Sequence, residues 1–239
     1  MTKVAIIIPS YNESENLENL INDINLNLKD VEIFIVDDSK DDYSEKILHR
    51  NKNVNFFHRG KKLGRGSAVI FGLKESLKKN FNIFVEMDAD FSHHPNELVE
   101  KINFFQINNL DLLISSRYLK KSKIINWSLS RRIFSKMSNF LARTLLRIPV
   151  SDYTNGFRFY SRSAAELITI KCGKIGDGFI ILSEILLQLN LNKFKIGEME
   201  TVFVNRVRGD SSVNIRLILH SLIGLIKLFL INIKTKKNI

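Results

Sequence analysis

Cysteine, tryptophan and proline are scarce in this sequence: its 239 residues hold one Cys, one Trp and three Pro. A lone Cys172 excludes an internal disulfide and any zinc site built from several cysteines. A reducing compartment is the plain expectation. A secretory leader is not expected either. The first apolar run, Val4 to Ile8, is short, ends at Pro9 and is followed by polar Tyr11-Asn12-Glu13. It reads as a buried strand, and the protein is expected to stay in the cytoplasm. No internal repeat, low-complexity linker or second core is evident. What is present is ordinary globular composition, with 44% hydrophobic and 26% charged residues, which excludes a disordered or collagen-like chain. The mass of 27.6 kDa suits one large domain, or one domain with a small appendage. Acids are outnumbered, 25 against 36 Lys and Arg, for a net charge of +11. That balance points to an anionic partner: nucleic acid, an anionic membrane surface or a phosphorylated substrate.

Apolar runs of strand length alternate with amphipathic stretches of helix length. Strands are expected at 4–8, 33–36, 54–57, 83–85 and 110–115, and helices at 13–28, 42–49, 66–79 and 95–106. The alternation predicts an α/β fold, a mostly parallel twisted sheet with helices on both faces. After Arg117 the rhythm changes. Lys120, Lys121 and Lys123 form a basic loop, and a long helix is expected over 127–146.

Residues 215–233 read as a further helix, about 28 Å long. Arg216, His220, Gly224, Lys227 and Lys234 form a narrow stripe opposite a broad Leu, Ile and Phe face. Three readings are open: a helix packed on the core, an interfacial membrane helix, and a true span. The stripe disfavours the span, and the basic tail after residue 233 favours the membrane surface. The expected division is therefore 1–212 as the catalytic domain and 213–239 as an amphipathic membrane-associating helix with its tail.

Chemistry concentrates at strand ends. Glu86-Met87-Asp88-Ala89-Asp90 closes an apolar strand with two carboxylates two residues apart, on one face. Ligands of open α/β sheets bind at such carboxyl ends. The pair suits Mg²⁺ or Mn²⁺, and equally a solvated turn with two helix-capping acids. Two earlier strands end in Pro9-Ser10-Tyr11-Asn12-Glu13 and Val36-Asp37-Asp38-Ser39, where an aromatic ring and carboxylates can hold a base or ribose. Gly64-Arg65-Gly66 resembles a phosphate-binding turn. Val69 stands where a dinucleotide fingerprint needs its third glycine, so a nicotinamide or flavin cofactor is not expected. The acids at strand ends also argue against nucleic acid. Glu184, within the apolar helical stretch 178–184, is either a paired structural acid or a contact to the donor sugar.

Several motifs stand in order: Pro9-x-Tyr11-Asn12-Glu13, Val36-Asp37-Asp38, Met87-Asp88-Ala89-Asp90-Phe91-Ser92-His93-His94-Pro95 and Ser116-Arg117-Tyr118. Trp127-x3-Arg131-x3-Ser135, Asp152-x-Thr154-x-Gly156-Phe157-Arg158 and Phe203-x2-Arg206-x2-Gly209-x-Ser211 follow. With them the sequence resembles the dolichyl-phosphate (polyprenyl-phosphate) mannose synthases, inverting family-2 glycosyltransferases with the GT-A fold. The resemblance implies transfer of a hexose, mannose from GDP-mannose, to the phosphate of a polyprenyl or dolichyl phosphate. A UDP-sugar donor such as UDP-glucose, or an inactive nucleotide-sugar-binding scaffold on the membrane, are the alternatives.

The resemblance also implies roles by position. Pro9, Tyr11, Glu13, Val36 and Asp38 would hold the nucleotide, and Asp88, Ala89 and Asp90 would lie under the diphosphate. Asp90, with Ser92, would bind Mg²⁺ or Mn²⁺. Arg117, Arg131 and Ser135 would receive the acceptor phosphate, with Arg117 also close to the donor. Arg206 would reach the diphosphate. Ser212 stands where the family usually has a donor-contacting lysine, which Arg208 could replace. Ser115 replaces a frequent glycine, and the loop 119–126 lacks the family's usual glycines. The expected location is peripheral, on the cytoplasmic face of a membrane, bound directly or through a membrane-anchoring protein.

Overall fold

The computed structural model describes residues 2–42, 46–47, 51–176, 178, 180–205 and 215–237. A seven-stranded sheet is built from β1 (Val4–Ser10), β2 (Val31–Asp37), β3 (Val54–His58), β4 (Ile83–Glu86), β5 (Leu112–Ser116), β7 (Arg158–Ser161) and β8 (Ile196–Glu200). Its order is β3-β2-β1-β4-β7-β5-β8. All neighbours pair in parallel except β7, which runs antiparallel between β4 and β5. The carboxyl ends of β1, β2, β4 and β5 therefore share one edge, and β7 enters the sheet from that edge. A small parallel pair, β6 (Lys123–Ile125) with β9 (Val202–Val204), lies apart from the main sheet.

Alternation along β1 sorts the core. Ala5 and Ile7 pack into one apolar cluster, while Val4, Ile6 and Ile8 pack into another. The first cluster takes the buried faces of α2 (Arg65–Leu77), α5 (Arg162–Lys171) and α6 (Ile180–Leu191), with Ala142 and Leu146 of α4 (Leu129–Leu146). The second takes α1 (Ser14–Asn27) and α3 (Leu98–Ile107). Helices thus cover both faces, as the alternating pattern predicts. The helix expected over 42–49 falls mostly outside the described residues. The one expected over 95–106 begins with a 3₁₀ turn at Pro95–Glu97.

The short strands β6 to β9 were not visible in the apolar pattern. β7 carries Arg158 in its first position, and that side chain is fully buried. Its guanidinium donates to the carbonyls of Asn155, Leu182 and Tyr153, which makes the burial tolerable. Glu184 is buried as well and accepts from the Gly173 and Lys174 amides. It is a structural acid holding the 173–174 turn. Burial pushes the Cys172 thiol far up, so the lone cysteine is inert.

The C-terminal helix α7 (Ile215–Lys237) docks on α6 and α4. Leu225, Leu228 and Asn232 are buried, and Asn232 Nδ2 donates to the Leu146 carbonyl at 2.9 Å. The expected polar stripe is broken at Gly224, which faces Ile175 and Ile180 because it has no side chain to hold the helices apart. No helix among the described residues is long and apolar enough to cross a membrane.

Candidate active site

The carboxyl edge of the sheet gathers most of the residues singled out from the sequence. Pro9 pairs with Val36 across β1 and β2. Beyond them, Tyr11 is exposed and Lys62 Nζ sits 4.2 Å from its ring centre. The turn is fixed by the Asn12 amide, which donates to Ser39 Oγ at 2.8 Å. Glu13 opens α1 and accepts from Asn16 Nδ2 at 2.6 Å. Asp38 is almost fully buried, and both its oxygens hold protein donors. Oδ1 meets Arg59 Nε at 2.6 Å, and Oδ2 accepts from the Leu63 and Gly64 amides at 2.8 and 3.0 Å. Asp38 thus builds the 59–64 loop that leads into α2.

The next strand end is a charged floor. Arg65, the first residue of α2, donates through Nε and Nη2 to Asp88 Oδ1 at 3.0 and 2.8 Å. Its Nη1 donates to fully buried Glu86. Tyr160 Oη donates to the second Glu86 oxygen at 2.6 Å. Burial and Glu86 hold the Tyr160 phenol well above its ordinary range. Burial disfavours the Arg65 cation, but the two carboxylates outweigh it and raise its pKa further. Gly64-Arg65-Gly66, read from sequence as a phosphate turn, therefore supplies a counter-charge to the floor.

Ala89 is buried beneath the loop. Phe91 turns the backbone with φ of 58°, an uncommon conformation for a bulky residue. This turn lets the Ser92 amide donate to Asp90 Oδ1 at 3.1 Å. The Ser92 carbonyl accepts from the Val204 amide at 3.3 Å. Ser92 Oγ is buried and has no hydrogen-bond partner among the described residues. A carboxylate beside an orphaned hydroxyl is an oxygen donor set that fits a hard divalent cation. No group of three His, Cys, Asp or Glu able to hold a metal exists among the described residues. Water and a ligand's own oxygens would have to complete any shell.

Beyond β5 the charge changes sign. Arg117 is buried and forks onto Asp152, with Nε on Oδ2 and Nη2 on Oδ1, both at 2.8 Å. Nη2 also donates to Thr154 Oγ1 at 2.6 Å. Burial raises the Asp152 pKa, yet the charge and hydrogen bonds of Arg117 win and hold it below the ordinary carboxylate value. The remaining Arg117 nitrogen, Nη1, has no partner among the described residues. The Arg117 and Arg131 guanidinium carbons lie 5.3 and 4.4 Å from the Trp127 ring centre. Arg131 also donates to Asn205 Oδ1. Ser135, one turn further along α4, accepts from Tyr118 Oη at 2.6 Å. Arg117, Arg131 and Ser135 are thus brought together around Trp127 and Tyr118. Arg206 and Ser212, with Arg208, lie outside the described residues.

Sequence reasoning missed Tyr160 and Asn155, and the ion pair that joins Arg65 to Glu86. The burial of Glu86 inside an apolar strand was the available signal, since a buried acid demands a partner. His93 orders the loop after Asp88. Its Nδ1 accepts from the Asp88 amide at 3.1 Å. Burial pushes the imidazole below its ordinary pKa against the pull of Asp88 and Asp90.

The profile described as "Glycosyl transferase family 2" matches residues 5–169. A polyprenol monophosphomannose synthase of Mycolicibacterium smegmatis is 31% identical over 89% of this chain and 81% of its own. An undecaprenyl-phosphate mannosyltransferase of Micrococcus luteus is 30% identical over 89% of this chain and 88% of its own. Among solved structures, glucosyl-3-phosphoglycerate synthase from Mycobacterium tuberculosis, in complex with Mn²⁺, UDP and phosphoglyceric acid, superposes with a TM-score of 0.65. It has 18% identity and covers 97% of this chain and 78% of that one. The architecture is the GT-A fold.

Proposed function

The chain belongs to glycosyl transferase family 2, and from that membership we propose that it moves a mannosyl group from a nucleotide-linked donor to the phosphate of a polyprenyl phosphate. One observation carries the reading. A carboxylate floor after β4 and Arg117 after β5, which shares the Trp127 ring with Arg131 of α4, stand on the same edge of the sheet. The names of both relatives supply the sugar and the lipid class.

A phosphate monoester has its second pKa near ~6 and is mostly dianionic at neutral pH. It is a nucleophile without a protein base. What the site must do is hold two anions in line. Arginine forks match phosphate oxygens in pairs. Arg117 keeps Nη1 for that purpose while Asp152 fixes its plane, and Arg131 and Ser135 complete the cradle. Attack by a phosphate oxygen on the anomeric carbon forms one C–O bond as the bond to the nucleoside diphosphate breaks. An α-linked donor then gives a β-linked lipid-phosphate sugar. Pro9, Tyr11, Glu13 and Val36 hold the nucleotide, and Asp38 fixes the 59–64 loop beside them. Asp88 and Ala89 underlie the diphosphate, and Arg206 and Ser212, outside the described residues, are assigned to the same diphosphate. Asp90 and Ser92 would hold Mg²⁺ or Mn²⁺, which would supply positive charge opposite the leaving diphosphate. Residues 213–239, with the exposed face of α4, lie on an anionic membrane surface, on its cytoplasmic side.

The test is a donor panel. Purified protein with Mn²⁺ or Mg²⁺ and a medium-chain polyprenyl phosphate receives GDP-mannose, UDP-glucose or UDP-N-acetylglucosamine, and the lipid product is read by mass. A hexosyl lipid from GDP-mannose alone, lost in Asp90→Ala, is the expected result. Product from a UDP-sugar alone overturns the donor. No product and no metal-dependent nucleotide binding overturns the whole reading.

A further inference from the structure

The Asp152-Tyr153-Thr154-Asn155-Gly156 turn orients Arg117 and receives the buried Arg158 guanidinium, and it touches both halves of the site. Asn155 is buried, and besides its carbonyl, which accepts from Arg158, three more of its groups are bonded. Its Nδ2 donates to the Ser115 carbonyl, so its Oδ1 faces His93 Nε2 at 3.0 Å. Its amide donates to Asp152 Oδ1 at 3.0 Å. Two independent bonds then settle the His93 tautomer. Nδ1 accepts from the Asp88 amide, and Nε2 must donate because only an oxygen faces it. The ring cannot tilt freely, since it stacks on Phe157 at 5.0 Å and meets the edge of Phe203 at 5.5 Å. A continuous chain results: Asp88 backbone, His93, Asn155, Asp152, Arg117.

The same turn reaches Asp88 from its other side. A Cβ built at Gly156 would stand 1.9 Å from Arg65 Nη2, the nitrogen that holds the Asp88 carboxylate. The missing side chain is what admits that guanidinium. Asp88 is thus fixed at its amide through His93 and at its carboxylate through Arg65, and both fixings rest on residues 155 and 156.

We propose that this turn is a positioning element, with His93 and Asn155 the positioning residues that hold the Asp88 floor and the Arg117 guanidinium at one fixed spacing. The proposal rests on the reading of these two groups as the donor and acceptor sides of the reaction. A reaction between two held anions depends on that spacing, and a misplacement of about 1 Å costs on the order of 100-fold in rate.

Two substitutions separate positioning from packing. His93→Phe keeps the ring stack and deletes both hydrogen bonds. His93→Asn loses the stack but keeps an acceptor within reach of the Asp88 amide. Positioning predicts that His93→Phe loses kcat by roughly tenfold or more with KM for donor and acceptor changed by less than about threefold, and that His93→Asn retains more kcat than His93→Phe. Packing predicts the reverse order, and that order overturns the proposal. An Asn155→Ala variant should match His93→Phe, and its combination with His93→Phe should add little, because both break one chain. A readout independent of turnover is the ¹⁵N spectrum of His93 in the unmodified protein. A neutral ring protonated at Nε2 supports the chain, and a proton on Nδ1 overturns it. If the donor panel fails while the Nε2 tautomer is found, the functional reading falls and the wiring stands.

Discussion

Gly156 has the least room to change. Alanine there would push the Arg65 guanidinium off Asp88 and Glu86. Glu86 is fully buried and would keep only the Tyr160 hydroxyl as partner. Breaking a buried ion pair at one partner costs about 3–5 kcal/mol. Gly156→Ala should lower stability by about that amount in urea unfolding. In an Arg65→Met background, where no guanidinium opposes the new methyl, the same change should cost far less. Equal costs in the two backgrounds would show that the conflict is not with Arg65. Asp152 makes a pH prediction at the same scale. Its folded pKa lies below its ordinary 3.8, so its contribution is fully present above that value. The contribution disappears as pH falls through the folded pKa. Asp152→Asn should therefore be destabilised at neutral pH, with Arg117 left buried and uncompensated, and should lose less additional stability below about pH 4 than the unmodified protein. Parallel urea midpoints down to about pH 2 would contradict the assignment.

At the scale of elements, α7 is held by close approach. A Cβ at Gly224 would lie 2.6 Å from Ile180 Cγ1 and 3.3 Å from Ile175 Cγ2. On an exposed helix face, replacing glycine gains up to about 1 kcal/mol of propensity. Here overpacking should win, and Gly224→Leu should lower the melting midpoint and raise amide exchange along 220–235. A raised midpoint would mean that α7 is not packed as described. The same packing explains what could be read from the sequence. β1, β2 and β4 are buried on both faces, so their apolar runs stand out. Asp88, Asp90 and the Trp127, Arg131 and Ser135 spacing are local patterns within a few residues of sequence, and they were legible. β7 was hidden because its four residues open on an arginine, whose burial is made possible by carbonyls outside the strand, at Tyr153, Asn155 and Leu182. The links from Arg65 to Glu86 and from His93 to Asn155 span 21 and 62 residues. Bonds of that range leave no periodicity to read.

The whole molecule presents two helices that are amphipathic in an unusual way. α4 and α7 pack together through Asn232 and Leu146, and each still exposes an apolar stripe. On α4 it is Leu129, Ile133, Met137 and Phe140; on α7 it is Leu222, Ile226, Leu230 and Ile233. Both stripes follow the same helical spacing. Exposed Lys120, Lys121, Lys123, Arg132, Lys136, Arg143, Lys227 and Lys234 lie on or beside these two helices. Fully burying one such side chain is worth about 1.5–3 kcal/mol, and each basic residue near an anionic surface adds about 1 kcal/mol. Apolar insertion and charge should therefore act together on a bilayer. The protein should sediment with vesicles containing anionic lipid. Raising salt from about 0.1 M to 1 M shortens the screening length from about 10 to 3 Å, so binding should weaken without vanishing. The paired substitution Phe140→Ser and Ile226→Ser weakens the apolar part alone. It should weaken vesicle binding at every salt while transfer to a short, detergent-dispersed acceptor stays within about threefold. Vesicle binding that survives the pair and disappears in salt would make the attachment purely electrostatic, and the two stripes would then need a protein partner.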